Sequence, residues 1–351
     1  MATAAFGVRL PVAGPLANAN AIRRAARAAE DLGFDAVWVH DFIVWTRLQD
    51  RTHISSGSRE VVDEDTVPVF HESLTNLAFL AGITTRVRLG VAVLCLPYRQ
   101  PVVAARQIAN IDVLSGGRLI LGVGQGGGKT GNNKDFEVLG IERVDKYART
   151  ADHLRAMLNI WTEEKSRYQG PYAAFPRSDY APQQIEFFPK PDQKPHPPIW
   201  MGGWSDRGLD LVAEFATGWL PSWITPEDYP ARVQGIRERM AGKDRADAPL
   251  TVGNEIMASI AETTDAAVEK SRRTFAVLSK GFQTNPPEEQ IRAASLCGDP
   301  DHVGETVGRY VDGGVDHFEL KFIYHSIDHL IEQMELFATR VIPSFATNGN
   351  T

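Results

Sequence analysis

The sequence lacks the features that mark exported, membrane-spanning and nucleic-acid-binding proteins. It contains only two cysteines, Cys95 and Cys297, and neither has a CxxC or Cys/His spacing, which argues against a disulfide framework and a zinc site. No apolar run reaches the roughly 18 residues of a membrane-spanning helix, and no basic segment followed by a long apolar stretch opens the chain. The net charge is −7, with no block of Lys or Arg. We therefore expect a cytoplasmic protein that binds no membrane, no nucleic acid and no metal.

Short apolar segments rich in β-branched residues recur along the chain and predict strands. They are Phe6–Leu10, Ala36–Val39, Val87–Leu94, Leu119–Val123, Ile199–Met201, Gly218–Leu220, Leu250–Ile260 and Phe318–Ile323. Amphipathic segments that predict helices lie between most of them: Ala19–Leu32, Leu74–Ala81, Pro101–Leu114, Thr150–Trp161 and Leu209–Phe215. This alternation favours parallel pairing with right-handed crossovers. Since no linker or fixed repeat divides the chain, we predict one (β/α)8 TIM-barrel domain over residues 1–351.

Three connections are too long to be simple turns: Phe42–His71, Gly124–Asp145 and Gln169–Pro198. The first two follow the second and fourth strands at their carboxyl ends, where barrel enzymes build their active sites. We call this end of the barrel the mouth. The third connection is either an excursion across the mouth or a surface insertion.

Two glycine-rich segments point to ligand binding. In MGGWSDRG, residues 201–208, Ser205 or Asp206 would cap a helix whose exposed N–H groups suit a phosphate, although a tight turn with a good cap is the alternative interpretation. Gly122, Gly124 and Gly127 have the GxGxxG spacing of a Rossmann nucleotide site. No helix signal opens at Gly127, so this segment predicts a loop at the mouth instead.

Several longer segments resemble the bacterial-luciferase-like superfamily, most closely its branch assigned to the deazaflavin coenzyme F-420. They are LGFDAVWVHD, TTRVRLGVAVLCLPYRQPVVAARQIANIDVLSGGRLILGVGQG and KPHPPIWMGGWSDRGLDLVAEFATGWLP. The resemblance covers roughly Phe6–Leu220 and, more weakly, the segment CGDPDHVGETVGRYVDGGVDHFELKF. It implies a TIM-type barrel, a cytoplasmic homodimer, and a flavin or deazaflavin whose phosphate lies near the ends of later strands. It also implies a distorted third strand with a non-prolyl cis peptide bond at Ala92–Val93.

The resemblance also implies cofactor contacts at the strand ends. By position in the motifs these are Asp41, Phe42, Ala92, Val93, Gln125, Gly126, Gly202, Gly203, Ser205, Gly218, Trp219 and Ser222. The candidate substrate pocket consists of Trp45, Glu72, Cys95, Trp223 and His317. Two of these residues have a structural role as the alternative interpretation. Glu72 is an acidic residue at the start of a helix, where the helix dipole favours it, and Cys95 is a small thiol that packs in the interior.

Two positions depart from the family pattern. Phe42 stands where deazaflavin-dependent relatives commonly carry a histidine, and Gly127 stands where sugar-phosphate dehydrogenases carry a glutamate. A phenyl ring moves no proton, so this role is vacant or another group fills it. His40 faces the same side as Phe42 if the strand continues, which makes it the candidate catalytic residue. A hydrogen-bonded histidine of the barrel is the alternative interpretation.

We therefore expect an oxidoreductase that transfers a hydride between coenzyme F-420 and a small organic substrate. An FMN-dependent monooxygenase using reduced flavin and oxygen is the alternative, and a non-catalytic flavin-binding barrel is a minor one. The long anionic tail of coenzyme F-420 benefits from basic residues near the mouth, whereas FMN ends at its phosphate. Lys129, Lys134, Arg143 and Lys146 therefore favour the deazaflavin.

Overall fold

Parallel strands close into a barrel in the computed structural model, which describes residues 3–43, 69–126, 134–142, 145–176, 185–278, 288–293 and 295–345. The strands are β1 (Ala5–Arg9), β2 (Ala36–Val39), β3 (Arg88–Cys95), β4 (Leu119–Gly124), β5 (Tyr168–Gln169), β6 (Ala174–Phe175), β7 (Ile199–Met201), β8 (Gly218–Trp219), β9 (Thr251–Ile260), β10 (Ser295–Gly298) and β11 (His317–Phe322). The barrel runs in the order β1, β2, β3, β4, β7, β8, β9 and β11, and β11 pairs with β1 to close it. The predicted TIM barrel is confirmed, and each predicted strand is a barrel strand.

Helices cover the outside of the barrel. They are α1 (Ala19–Asp31), α2 (Ser73–Ile83), α3 (Pro101–Leu114), α4 (Lys134–Val138), α5 (Lys146–Thr162), α6 (Asp206–Phe215), α7 (Tyr229–Ala241), α8 (Thr264–Leu278), α9 (Glu288–Ala293), α10 (Pro300–Asp312) and α11 (Ile327–Arg340). The five predicted helices all form. Helix α5 begins earlier than predicted, because the Asp145 carboxylate accepts hydrogen bonds from the backbone N–H groups of Tyr147 and Ala148. Within the described ranges, no helix combines the length and apolarity needed to cross a membrane.

Three strands were not predicted. Strand β9 pairs with β11 along one edge. Along its other edge it pairs first with β8, at Thr251 and Val252, and further on with β10, at Met257–Ile260. Strands β5 and β6 form a short antiparallel hairpin within the third long connection. Tyr168 Oη donates to Asp152 Oδ1 on α5 (2.7 Å) and the Tyr172 N–H donates to Asp152 Oδ2 (2.8 Å). The described part of this connection therefore packs against α5 rather than across the strand ends.

Aromatic rings fill the inside of the barrel. The indoles of Trp38 and Trp200 are both buried, with their ring centroids 5.4 Å apart. Glycines make room for them, because a Cβ on Gly7 or Gly90 would lie 2.3 or 2.1 Å from the Trp38 ring. The barrel is thus a packed core rather than a pore, as expected for this fold.

His317 completes this aromatic layer. It is 4% exposed at the start of β11, and its ring centroid lies 5.5 Å from that of Trp38 and 4.9 Å from that of Trp200, both edge-to-face. Burial, with a contribution from Arg88, lowers the pKa of His317 to about 3. The structure therefore does not bring His317 to the mouth, where we expected it in the substrate pocket. The reason is that the strand begins at His317 itself, with the side chain directed into the barrel.

This burial predicts an acid-sensitive fold. Because the folded-state pKa of His317 is about 3 against an ordinary value of 6.5, its contribution to stability is complete above pH 6.5 and is lost as the pH falls from there towards 3. Between about pH 7 and about pH 4.5, the free energy of unfolding should fall by about 2–3 kcal/mol more in the wild type than in the His317→Phe variant. Urea denaturation at the two pH values measures this difference. The same fall in both proteins would contradict a neutral, buried His317.

Candidate functional site at the barrel mouth

Charged side chains from three strands meet inside the barrel just below the mouth. Arg9, the last residue of β1, forms an ion pair through Nε with Glu319, and its Nη2 lies 3.7 Å from Glu255 Oε2. Lys321 forms an ion pair with the other oxygen of Glu255. The backbone of Glu255 pairs with that of Ser222, which lies beyond the end of β8. The Arg9 and Glu319 side chains are 3% and 0% exposed. We call Arg9, Glu255, Glu319 and Lys321 the floor cluster; none of them was predicted.

The two carboxylates of the floor cluster differ in their affinity for a proton. Burial alone would raise the pKa of Glu255, but Lys321 and Arg9 together lower it. At Glu319 burial dominates, and the pKa is raised in spite of Arg9. Glu255 is therefore the more firmly ionised carboxylate, and Glu319 is the one that more readily holds a proton.

His40 lies beside this cluster. It follows β2 directly and is 6% exposed. Burial lowers its pKa well below the usual value, and the charges of Arg9 and Lys321 lower it further. The imidazole is therefore neutral near pH 7, a state in which one ring nitrogen is able to accept a proton.

Asp41, the next residue, joins the ends of two strands. Its carboxylate accepts two hydrogen bonds from the Arg99 guanidinium (2.6 and 2.7 Å), one from the Cys95 backbone N–H (2.9 Å) and one from Ser73 Oγ (2.9 Å). The side chain is 1% exposed. The structure therefore places Asp41, an expected cofactor contact, in the wall behind the mouth.

Glu72, expected in the substrate pocket, caps helix α2. It accepts hydrogen bonds from the backbone N–H groups of Leu74 (3.1 Å) and Thr75 (2.7 Å), and from Arg99 Nη2 (3.2 Å). These contacts lower its pKa against the effect of burial. Its carboxylate is thus already engaged in the local fold.

The aromatic positions of the first long connection are only partly described. Phe42 is half-buried and stacks on Phe70, with ring centroids 4.9 Å apart and planes 24° apart. This places an apolar wall on the β2 side of the mouth. Trp45 lies outside the described residues, as do Gly127, Lys129 and Arg143.

The third strand is distorted where the sequence predicted it. The Ala92–Val93 peptide bond is cis, and the register between β3 and β4 shifts between Val91 and Leu94. Arg9 Nη2 donates to the carbonyl oxygen of Ala92 (3.3 Å), so the floor cluster contacts this bond directly. A Cβ on Gly124 would lie 2.5 Å from Val93 Cγ2, which shows how closely the distorted strand approaches β4.

The two residues after β4 bring a backbone turn and a side-chain amide group to the mouth. Gly126 has a φ of +66°, and a Cβ there would lie 2.6 Å from the Tyr98 ring. Its carbonyl oxygen accepts a hydrogen bond from Lys146 Nζ (3.0 Å). Gln125 Nε2 is buried and has no hydrogen-bond partner among the described residues. Such an unsatisfied donor fits a ligand oxygen at this position.

Cys95 ends β3 next to this segment. Burial, with a smaller contribution from Asp41, raises the pKa of its thiol. A thiol that stays protonated is a poor nucleophile. Cys95 therefore behaves as a small wall residue of the candidate pocket.

A cradle of polar groups lies between β7 and α6. Ser205 caps α6 by accepting a hydrogen bond from the Gly208 N–H (3.2 Å), and its Oγ lies 3.0 Å from Tyr147 Oη. Gly203 has a φ of +96°, and the nearest atom to a Cβ there would be Gln125 Oε1 at 3.9 Å. A Cβ on Gly202, the residue just before it, would lie 3.3 Å from the Leu220 carbonyl oxygen.

These groups fit the phosphate of a flavin or deazaflavin. The positive end of a ten-residue helix, two hydroxyl groups and an open glycine turn are what an oxyanion requires. Tyr147 was missed by the sequence analysis. Its position two residues after the Asp145 cap of α5 was the available signal.

The four expected site residues after α6 separate in the structure. Gly218 lies inside the barrel, where a Cβ would be 2.5 Å from the Trp200 ring. Trp219 is fully buried on the outer side, and its Nε1 donates to the Gly203 carbonyl (2.8 Å), so it supports the cradle from behind. Ser222 and Trp223 reach the mouth; Trp223 has a φ of 62° and is 62% exposed.

If the cradle binds the cofactor phosphate, removing the Ser205 hydroxyl should weaken cofactor binding in addition to destabilising helix α6. The Ser205→Ala variant should bind FMN or coenzyme F-420 about tenfold more weakly and also lose about 1 kcal/mol of stability from the missing cap. The matched control is Ser326→Ala, because Ser326 caps α11 in the same way, with Oγ 3.0 Å from the His329 nitrogen. Equilibrium dialysis gives the affinities and thermal melts give the stabilities. Equal cofactor affinity in the two variants would contradict the proposed phosphate site.

Comparison with known proteins agrees with this geometry. The family model described as luciferase-like monooxygenase matches residues 2–317. The FMNH2-dependent dimethylsulfone monooxygenase of Pseudomonas putida is 26% identical over 310 residues, which cover 78% of each chain. The F-420-dependent glucose-6-phosphate dehydrogenase of Microbacterium testaceum is 27% identical over 342 residues, which cover 90% of each chain.

The barrel is also found in solved structures. The coenzyme F-420-dependent tetrahydromethanopterin reductase of Methanopyrus kandleri superposes with a TM-score of 0.74 at 20% identity, covering 98% of this chain and 100% of that one. At this identity the likeness concerns the fold alone. Together with the family match over most of the sequence, it shows that the chain belongs to the luciferase-like monooxygenase family of flavin- and deazaflavin-dependent oxidoreductases.

Proposed function

We propose that the protein transfers a hydride between coenzyme F-420 and a small organic substrate, with His40 moving the accompanying proton. The observation that carries this proposal is an imidazole buried at the carboxyl end of β2, beside the floor cluster and neutral near pH 7. When bound, the deazaflavin exchanges the hydride with a substrate carbon. An alcohol that loses a hydride must also lose its hydroxyl proton; unprotonated His40 would receive this proton and pass it on to solvent, because burial, Arg9 and Lys321 disfavour a lasting charge on the ring.

The other residues of the mouth would orient and enclose the reactants. Ser205 and Tyr147 hold the phosphate, and Gln125 Nε2 donates to a polar atom of the ring system or the substrate. Phe42 and Trp223 supply apolar walls, which favours a substrate with an apolar portion. Arg9 and Lys321 keep His40 unprotonated before the reaction by disfavouring a third positive charge.

Two observations support the deazaflavin as cofactor. Lys146 places a cation at the rim, with Nζ 3.0 Å from the Gly126 carbonyl and 5.4 Å from the Tyr147 ring centroid, where it suits an anionic tail. The alignment with the F-420-dependent relative extends over 90% of each chain. The second candidate is an FMN-dependent monooxygenase, which the dimethylsulfone monooxygenase relative favours, because the cradle suffices for a terminal phosphate.

Three other expectations remain predictions: a cytoplasmic location, a single domain over residues 1–351, and a homodimer. Apolar side chains exposed on α3, at Val103, Val113 and Leu114, offer a surface for the dimer. Sedimentation at several protein concentrations measures the oligomeric state.

The proposed cofactor is tested by mass spectrometry of the chromophore that the protein retains after expression in a host that makes both cofactors. We expect coenzyme F-420 at near-stoichiometric occupancy. FMN alone at that occupancy would overturn the proposal in favour of the monooxygenase. Turnover of any alcohol or ketone by the loaded protein excludes the non-catalytic flavin-binding barrel.

A further inference from the structure

A second cavity, of about 210 Å³, lies outside the barrel between helices α3 and α5. Its walls come from the segment after β3, the start of α3, the inner side of α5 and the β5–β6 hairpin. Tyr98 lines it and also packs against Gly126, so this ring stands between the cavity and the end of β4. We call it the α3–α5 cavity.

Arg149 brings an uncompensated positive charge to the α3–α5 cavity. Its Nε is buried without a hydrogen-bond partner, and no carboxylate in the described part of the chain pairs with its guanidinium. Arg99 also lines the cavity, but Asp41 and Glu72 neutralise it. Among the residues that the structure describes, this cation therefore has no counter-ion.

His153 adds a buried polar group that the fold leaves only partly satisfied. The residue is 0% exposed; its ring makes at most a weak hydrogen bond to the Leu96 backbone, and no other described group is a partner for its two nitrogens. Buried polar side chains are normally hydrogen-bonded, so each exception needs an explanation. Since His153 lines the cavity, a ligand there would provide the missing partner.

Helix α3 directs its positive end at the same space. Gln100, Pro101 and Val102, its cap and first two residues, line the cavity. The Gln100 side chain accepts from the Val103 N–H (2.8 Å), and Pro101 has no N–H to satisfy. The aligned dipoles of this 14-residue helix favour a negative charge at that end.

We propose that the α3–α5 cavity binds the oxyanion of a small organic molecule, a carboxylate or a phosphate, with its apolar part against Leu139, Ile141 and Phe175. A guanidinium without a counter-ion among the described residues, a partly unsatisfied imidazole and a helix start converge there, and the remaining lining is mixed, with Leu139, Ile141 and Phe175 among its apolar members. The start of α3 lies at the mouth end of the barrel, but none of the residues that line this cavity belongs to the cradle or the floor cluster.

Calorimetric titration with sodium benzoate and with inorganic phosphate tests this site. At least one probe should bind the wild type, and the Arg149→Gln and His153→Gln variants should bind it roughly tenfold or more weakly. Arg155→Gln is the matched control, because Arg155 is on the same helix but pairs with Glu214 at the surface. Benzoate binding alone identifies a carboxylate site, and phosphate binding alone a phosphate site.

Two results would overturn the proposal. One is that neither probe binds the wild type at millimolar concentration. The other is that Arg149→Gln binds as the wild type does, which would place the observed binding elsewhere, for example at Ser205. Thermal melts confirm that each variant is folded. If His153→Gln is not folded, Arg149→Gln, whose side chain is only partly buried, decides the outcome by itself.

Discussion

Replacing Arg9 by methionine should lower the free energy of unfolding by about 3–5 kcal/mol, because it leaves a buried carboxylate without its partner. Glu319 is 0% exposed, and Arg9 is its ion-pair partner inside the barrel. Burial already raises the pKa of Glu319, so without Arg9 this side chain must take up a proton or remain charged in an apolar interior. Urea denaturation monitored by tryptophan fluorescence measures the loss.

A surface ion pair provides the control for this prediction. Arg24 pairs with Asp328 at 2.5 Å, with side chains 46% and 73% exposed, so Arg24→Met should change stability by at most about 1 kcal/mol. The double variant Arg9→Met/Glu319→Leu should recover much of the loss, because neither charge is then left alone. Similar losses in Arg9→Met and Arg24→Met would show that the floor cluster is not buried as described.

The His40→Asn variant should lose activity by about 10²–10⁴-fold while it keeps its cofactor affinity. Asparagine retains hydrogen-bonding capacity but cannot accept the proton that a neutral imidazole accepts. The measurement needs a substrate, which a panel of small alcohols and ketones would supply, and it compares kcat with the cofactor dissociation constant. His196→Asn is the control, since His196 lies before β7, at the end of the barrel opposite the mouth, and contacts Trp161.

Undiminished kcat in His40→Asn would assign proton transfer to another group.

A change at Phe42 tests whether this residue, which stands where deazaflavin-dependent relatives carry a histidine, lines the site or lies away from it. If Phe42 lines the site, Phe42→His should change cofactor affinity or rate, because it introduces a titratable ring into an apolar wall stacked on Phe70. A Phe42→His variant identical to the wild type in both would remove Phe42 from the site.

The barrel was predictable from local patterns because each strand carries its own signal. The inward and outward sides of a barrel strand are both buried, so segments such as Val87–Leu94 read as short apolar runs between helical stretches. Strand β10 was not predicted because Ser295–Gly298 is short and three of its four residues are small. Strands β5 and β6, of two residues each, depend on the hairpin rather than on a pattern of their own.

The site was less predictable, because its chemistry comes from residues that are distant in sequence. Arg9 and Glu319 are 310 positions apart and meet only because the last strand closes the barrel against the first. Motif position located the cis bond at Ala92–Val93 correctly. It did not show which side of a strand end each side chain faces, and for this reason Asp41 and Trp219 lie behind the mouth.

The layer of Trp38, Trp200 and His317 has a kinetic consequence. These three rings, at 0%, 3% and 4% exposure, fill the interior of the barrel, so molecules bound at the mouth do not leave through the barrel itself. If the substrate lies deeper than the cofactor, against His40 and the floor cluster, it must arrive first and depart last; if the cofactor lies deeper, the order is reversed. Either arrangement favours one order of addition, which initial-rate patterns with both reactants varied would reveal.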